Sequence, residues 1–365
     1  MHVGFVPVAR GFVQVDAAAD VPHAEWDGLL EPEDFCLSSH WLALAEKTAG
    51  VPMRYLTSYR DGHLVGALAL ALARDDSPWV LGRPDAMLSA AVKADRPGAA
   101  SAAEVLGGAS GLMPSVVAGG RHMGRSRMLH AADARDSELV ELLEEAERVA
   151  REWDARSVAF PFVSGSDGRL MKLLAERGYV AYESGRYSSL YLPFGGLDGY
   201  LEQLPRKRRL TAGSDRRKLS EARVVSSLES LSQGMIPRLA ELETELMAKY
   251  EIAWASERTE AALHHMSELF GEDARVSLVR ADGLIRGFAV VVRFQDAWYA
   301  LRAGFDYAFQ QRLPLYFEVM YYRLAEEAEK AGVTSIHYGL GSEEAKRSRG
   351  CSATLQYSFI RPLNS

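Results

Sequence analysis

A repeat constrains this chain more than any other feature. Residues 54–73 read RYLTSYRDGHLVGALALALA and residues 275–294 read RVSLVRADGLIRGFAVVVRF. Each is an alternating run, an Asp-Gly pair and a second apolar run, which predicts a β-hairpin with a two-residue turn. A further glycine follows at the same offset: Asp61, Gly62 and Gly66 in the first, Asp282, Gly283 and Gly287 in the second. After each hairpin the pattern predicts a strand, a long amphipathic helix and another strand. These fall at 115–120, 138–155 and 157–163 in the first half, and at 297–306, 313–332 and 335–341 in the second. Leu139, Leu142, Leu143, Ala146, Val149 and Ala150 make one helical stripe; Val319, Met320, Leu324, Ala328 and Ala331 make the other. Gly332 is placed to cap the second helix. The expected architecture is α/β: two fused modules, each a mixed, mostly antiparallel twisted sheet flanked by helices. The first spans 1–193, with an irregular Ala- and Gly-rich insertion near 82–114. The second spans 194–365, beyond a hinge near Pro193–Leu197, and opens with a basic helical segment at 200–222.

Composition narrows the function classes. With 365 residues, 48% hydrophobic and 25% charged, the chain has the balance of a soluble globular protein with room for two cores. The longest apolar run, 64–73, is too short to span a bilayer, so membrane insertion is not expected. The first residues lack the charged-then-apolar order of a secretory signal. Cys36 and Cys351 are far apart and are the only cysteines, which argues against a disulfide framework and for a cytoplasmic location. The adjacent His264 and His265 fall in a helical pattern, and no spacing of metal ligands stands out.

The module order, with RLMKLLAERGYVAYES (169–184) as a helix running into a strand, resembles the GCN5-related N-acetyltransferase (GNAT) superfamily. Two copies with a basic segment opening the second, LPRKRRLTAGSDRRK from 204, resemble the FemABX-like, peptidoglycan bridge-forming aminoacyltransferases. SSHWLALAEKTAG (38–50) and GLGSEEAKRSRG (339–350) add to that likeness. It implies an acyltransferase that makes an amide, taking an aminoacyl group from aminoacyl-tRNA and passing it to an amine of a small molecule or of a cell-wall or antibiotic precursor. No tightly bound cofactor or metal is implied. Two other readings stay open: an acyl-CoA-dependent N-acetyltransferase, and a non-catalytic protein that binds a cell-wall precursor or RNA. Because the modules are fused, a monomer is expected.

Acyl-CoA enzymes of the superfamily hold the pyrophosphate on a glycine-rich loop that opens the long helix. The corresponding stretch of the second half, DYAFQQRLPLYF (306–317), has no glycine. GGRHMGRS (119–126) in the first half offers Arg121, Gly124 and Ser126 as a weak CoA-binding pattern, with an ordinary glycine turn as the alternative.

Phosphate recognition has a stronger candidate. Although the formal net charge is −7, seven lysines and arginines crowd between Arg206 and Lys218. Arg206, Lys207, Arg208, Arg209, Arg216 and Arg217, with Arg349, form a candidate phosphate site that would suit a tRNA acceptor end, a CoA phosphate or a phosphorylated acceptor. The alternative is an exposed helix face paired with Glu202, Glu221 and other acids. Aminolysis needs a way to remove a proton from the amine and donors for the developing oxyanion. Lys346, Arg302, Glu344 and Tyr338 are the catalytic candidates. Lys346 follows the fifth strand of its module, where the resembled family carries a lysine thought to steady the reacting carbonyl or the donor's terminal phosphate. Glu343, His337 and Tyr357 are weaker candidates.

Overall fold

Both Asp-Gly pairs form the same left-handed turn. Asp61 and Gly62 have φ of 53° and 79°, and Asp282 and Gly283 have 52° and 76°, as a type I′ hairpin requires. The likeness continues past the turns. Ser58 pairs with Gly66 but Tyr59 with Leu64, which leaves Val65 as a bulge. Val279 pairs with Gly287 but Arg280 with Ile285, which leaves Arg286 as its counterpart. The glycine after each bulge answers to packing: a Cβ on Gly66 would lie 2.7 Å from Leu142 Cδ1, and one on Gly287 would lie 2.9 Å from Phe305 Cδ1.

The computed structural model describes residues 10–77, 82–120, 124–192 and 195–363. It divides into two compact units, one of residues 1–187 with 354–365 and one of residues 188–353. The first unit contains β1 (Arg10–Val15), α1 (His23–Asp27), α2 (Ser39–Ala49), β2 (Met53–Arg60) and β3 (His63–Ala73). After these come α3 (Pro84–Lys93), α4 (Ala99–Val105), β4 (Ser115–Ala118), β5 (Leu129–His130), α5 (Asp136–Glu152), β6 (Ser157–Ser164), α6 (Gly168–Glu176) and β7 (Val180–Tyr191), whose residues from Ser188 onward belong to the second unit. The stretch 82–114, expected to be irregular, contains the helices α3 and α4. Alanine is the best helix former, and in the run AASAAEV only the last residue, Val105, favours a strand.

In the second unit the chain forms α7 (Gly196–Gln203), α8 (Arg206–Glu221), β8 (Val225–Ser230), α9 (Ile236–Lys249) and α10 (Ser256–Phe270). It continues with β9 (Ala274–Ala281), β10 (Leu284–Phe294), β11 (Ala297–Phe305), α11 (Tyr307–Gln310), α12 (Leu315–Phe317), a π-helical turn at Glu318–Tyr322 and α13 (Arg323–Ala328). Then follow β12 (Ser335–Gly339), α14 (Glu343–Arg347) and β13 (Ser352–Pro362), whose residues from Thr354 onward belong to the first unit. The helix predicted over 313–332 is thus interrupted by a π turn, and Gly332, at φ 64°, closes it where Val333 N–H bonds Ala328 O.

Among the described residues the ladders within each unit are antiparallel apart from one short parallel pair, with an isolated parallel bridge of Ser126 to Val163 in the first unit. In the first unit β4 pairs with β6 over Ser115–Val117 and Ser157–Ala159. In the second, β11 pairs with β12 over Ala297–Tyr299 and Ser335–His337. Beyond Tyr299 and His337 the two strands no longer pair with each other, though β11 runs on to Phe305 against β10 and β12 to Gly339, and so they leave a divergence. The stripe predicted on α5, Leu139 to Ala150, is buried against Leu56, Leu68 and Phe160. Val319, Leu324 and Ala328 are buried in the same way against Val291, Trp298 and Ile336.

Candidate functional site

The divergence of β11 and β12 gathers most of the catalytic candidates of the second unit. Lys346, on the short helix α14, is 4% exposed. Its ammonium donates to three successive carbonyl oxygens, those of Tyr338 at 2.8 Å, Gly339 at 2.9 Å and Leu340 at 2.6 Å. All its protons are therefore engaged in closing the end of β12. Burial pulls its pKa down from 10.5 to about 8. The loop it ties down is built from left-handed residues, Gly339, Gly341 and Ser342. Tyr338 is held from both ends: its carbonyl meets Lys346 and its phenol donates to Met320 O in the π turn. Burial pushes its pKa well above 10.0, so the phenol stays protonated.

Arg302 extends from β11 beyond the last parallel pair and donates to Glu243 Oε2 at 2.8 Å. Sequence reading missed Glu243. The same oxygen accepts from Thr259 Oγ1 at 2.7 Å, and Thr259 Oγ1 in turn accepts from Trp254 Nε1 at 2.8 Å. Glu243 is 3% exposed. The signal was available in the helical period of α9, where Ile236, Leu239, Ala240 and Glu243 share one face and an acid breaks an apolar stripe. Gly304 lets α9 approach β11 this closely, because a Cβ there would lie 2.4 Å from Leu242 C and 2.5 Å from Glu243 N. His337 stacks on Tyr299 with ring centroids 4.4 Å apart. Glu344 is exposed, Glu343 half-buried, and Tyr357 lies half-buried in the first unit.

Arg349 does not face solvent. At 2% exposure it lies over the Phe317 ring, 3.7 Å from its centroid, with Asp215 Oδ2 3.7 Å away. Asp215 also accepts from the Tyr322 hydroxyl at 2.8 Å, and the Tyr200 hydroxyl donates to Arg349 O at 3.0 Å. These contacts anchor α7 and α8. Arg216 is drawn inward too: it forks onto Glu318 at 3.1 and 3.2 Å and reaches Glu326 at 2.6 Å. Burial opposes its charge, but the hydrogen bonds to Glu318 and Glu326 prevail and raise its pKa. Two of the expected phosphate ligands, Arg216 and Arg349, are therefore structural partners of buried acids.

The rest of the basic segment behaves differently. On α8 the buried face is Ala212, Asp215 and Leu219, while Arg206, Lys207, Arg209, Arg217 and Lys218 are exposed and Arg208 is half-buried. None of these six forms an ion pair among the described residues; Arg209 reaches only the backbone oxygen of Glu202, at 3.2 Å. The first turn of α8 holds no acid, so cations stand at the positive end of the helix dipole, where an anion would be stabilising.

The two loops considered for CoA are accounted for by internal contacts. In 306–317 the N–H of Phe309 donates to Asp306 Oδ1 at 2.9 Å and that of Tyr307 to Glu245 Oε2 at 3.3 Å, so carboxylates hold donors that a pyrophosphate would need. In 119–126, Arg121 lies outside the described residues. A Cβ on Gly119 would meet Arg127 N at 2.9 Å and one on Gly120 would meet Leu37 Cδ2 at 2.6 Å. Gly124 is left-handed, and Ser126 is 1% exposed with its N–H on Phe162 O at 3.1 Å. Among the described residues no group of three or more His, Cys, Asp or Glu side chains is arranged to hold a metal ion, and no helix is long and apolar enough to cross a membrane.

Residues 206–347 match the family model described as an acetyltransferase (GNAT) domain. No curated protein sequence matches the chain. Among solved structures, the fold is similar to that of FemX, at 13% identity and a TM-score of 0.65 over 96% of this chain and 98% of that one. It is also similar to a tandem GNAT protein from the clavulanic acid biosynthesis pathway, at 13% identity and a TM-score of 0.56 over 98% and 99% of the two chains. A conserved protein of unknown function from Bacteroides thetaiotaomicron aligns at 11% identity and a TM-score of 0.57 over 94% and 98%.

Proposed function

We propose, from the premise that this chain is a tandem of GNAT folds, FemX-like in architecture, that it is an acyltransferase using aminoacyl-tRNA as donor. It makes an amide by passing the aminoacyl group to an amine of a small molecule or of a cell-wall or antibiotic precursor. The observation that carries this reading is the outer face of α8, where exposed cations stand without an ion partner. Phosphates on the donor would supply the missing anions. An acyl-CoA donor has less support, because Asp306 and Glu245 hold the N–H groups at the loop where its pyrophosphate would dock.

Attack by the amine needs a proton acceptor and stabilisation of the oxyanion. Arg302, on β11 past its last pair with β12, is the cation assigned to the developing oxyanion. Glu344, exposed on α14, accepts the amine's proton as the C–N bond forms; the ester C–O bond then breaks and the tRNA ribose oxygen leaves as a hydroxyl, taking its proton from the Glu344 carboxyl or from water. Lys346 and Tyr338 act as positioning residues that fix the end of β12 against the π turn. Such an enzyme works in the cytoplasm, where charged tRNA is made, and two modules in one chain let it act as a monomer.

The test uses hydroxylamine as a surrogate amine with charged tRNA or acetyl-CoA. Each rate is read as the excess over the spontaneous reaction without protein, and faster release of aminoacyl hydroxamate from charged tRNA, suppressed by salt, is the expected result. Acetyl hydroxamate alone moves the chain to the acyl-CoA reading, and neither product favours a binding protein.

A further inference from the structure

The exposed face of α8 has more shape than a set of charges. Arg206, Lys207 and Arg209 stand at one end and Arg217 and Lys218 at the other, about 15 Å apart at the rise of an α-helix. Between them the outer face is Leu210, 66% exposed, with Gly213 and Ser214. Gly213 is unexplained by the protein itself. It sits in the middle of a 16-residue helix, has no left-handed φ, and a Cβ there would meet nothing within 4 Å. A glycine in a helix interior costs about 1 kcal/mol relative to alanine, and no neighbour in the fold requires it.

We infer that α8 lies against the backbone of an RNA duplex, with its closest approach at Gly213. A single pyrophosphate engages one cluster of cations, whereas this face carries two clusters with a low waist between them. Single strands are held by stacking bases on aromatic rings, and the helix RKRRLTAGSDRRKLSE contains none. Duplex RNA is recognised through phosphates, 2′-hydroxyls and shape across a wide, shallow minor groove. Two cationic ends, a serine hydroxyl and a missing side chain supply those contacts without reading sequence. This deepens the tRNA-donor reading, on which it rests for the kind of nucleic acid, and assigns α8 to a double-stranded stem rather than to the single-stranded acceptor end.

The test measures binding of the full chain, by fluorescence anisotropy across a salt series, to three probes. They are an RNA hairpin of about a dozen base pairs, a DNA hairpin of the same sequence and a single-stranded RNA of equal length. The RNA hairpin is expected to bind on the order of tenfold tighter than either of the others. Gly213→Gln decides the geometry, because it improves helix propensity and so cannot weaken binding by unfolding the helix. It is expected to raise the melting temperature and to weaken hairpin binding on the order of tenfold. Equal binding of the three probes, or a Gly213→Gln variant that binds like the wild type, overturns the inference. The hairpin has no aminoacyl group and reports the contact alone, so hairpin binding together with no catalysed hydroxamate from charged tRNA would sink the proposed reaction and leave this contact standing.

Discussion

The ammonium of Lys346 donates to the carbonyl oxygen of Tyr338 at 2.8 Å. A charge that sequence alone assigned to catalysis thus closes the end of a strand, and its burial makes it titrate early. Below about pH 8 Lys346 is charged in both folded and unfolded states, and the buried charge weighs fully against the fold. Between about 8 and 10.5 the folded chain has released the proton while the unfolded chain keeps it, so stability rises with pH through that window. The rise attributable to this group is about 3 kcal/mol. Urea unfolding of the wild type and Lys346→Met across the window checks it: the variant should lack this part of the slope.

Arg216 and Arg217 are neighbours with opposite duties. Arg216→Ala leaves the carboxylate of Glu318, 3% exposed, without its cation, and should cost about 3 kcal/mol of stability. Arg217→Ala removes an exposed, unpaired charge and should change stability by less than about 0.5 kcal/mol. Chemical denaturation of the two variants separates them, and equal losses would contradict the arrangement of α8.

Charge reversal at Arg206, Lys207 and Arg209 should leave the fold intact and weaken tRNA binding. The slope of log affinity against log salt should fall by roughly 0.7 to 0.9 for each phosphate contact removed. An unchanged slope would show that this face does not meet the donor.

Gly304→Ala should be far more damaging than its size suggests. The added methyl would lie 2.4 Å from backbone carbon of Leu242, and backbone cannot rotate out of the way as a side chain can. A loss of more than about 3 kcal/mol is expected in thermal unfolding. It should come with weakened ordering of the Trp254, Thr259 and Glu243 chain, read from the fluorescence of Trp254.

The strands and their turns were legible because their causes are local. Asp61-Gly62 and Asp282-Gly283 announce type I′ turns, and the α5 stripe announces the face it buries. The π turn at Glu318–Tyr322 was not legible, since the sequence there still reads as helix and the irregularity is matched by Tyr338, a residue remote in the chain. The same holds for the site. Arg206 to Lys218 stand out as a charge cluster, but that Arg216 turns inward depends on Glu318 and Glu326, which only the fold brings near. Glu243 could have been suspected as an acid in an apolar stripe, but its pairing with Arg302 spans elements that no local rule connects.

The bulges at Val65 and Arg286 have a consequence for how these modules can change. Each absorbs one residue between a fixed turn and a fixed glycine, so removing a single residue from either hairpin would exchange the two faces of the strand that follows. Replacing the bulged residue disturbs no register. One copy holds a buried valine at this position and the other an arginine bonded to Asp306 at 2.7 Å. The hairpins are therefore rigid in length and free in chemistry, and new interactions can enter at the bulge by substitution while insertions and deletions are confined to the connections outside it.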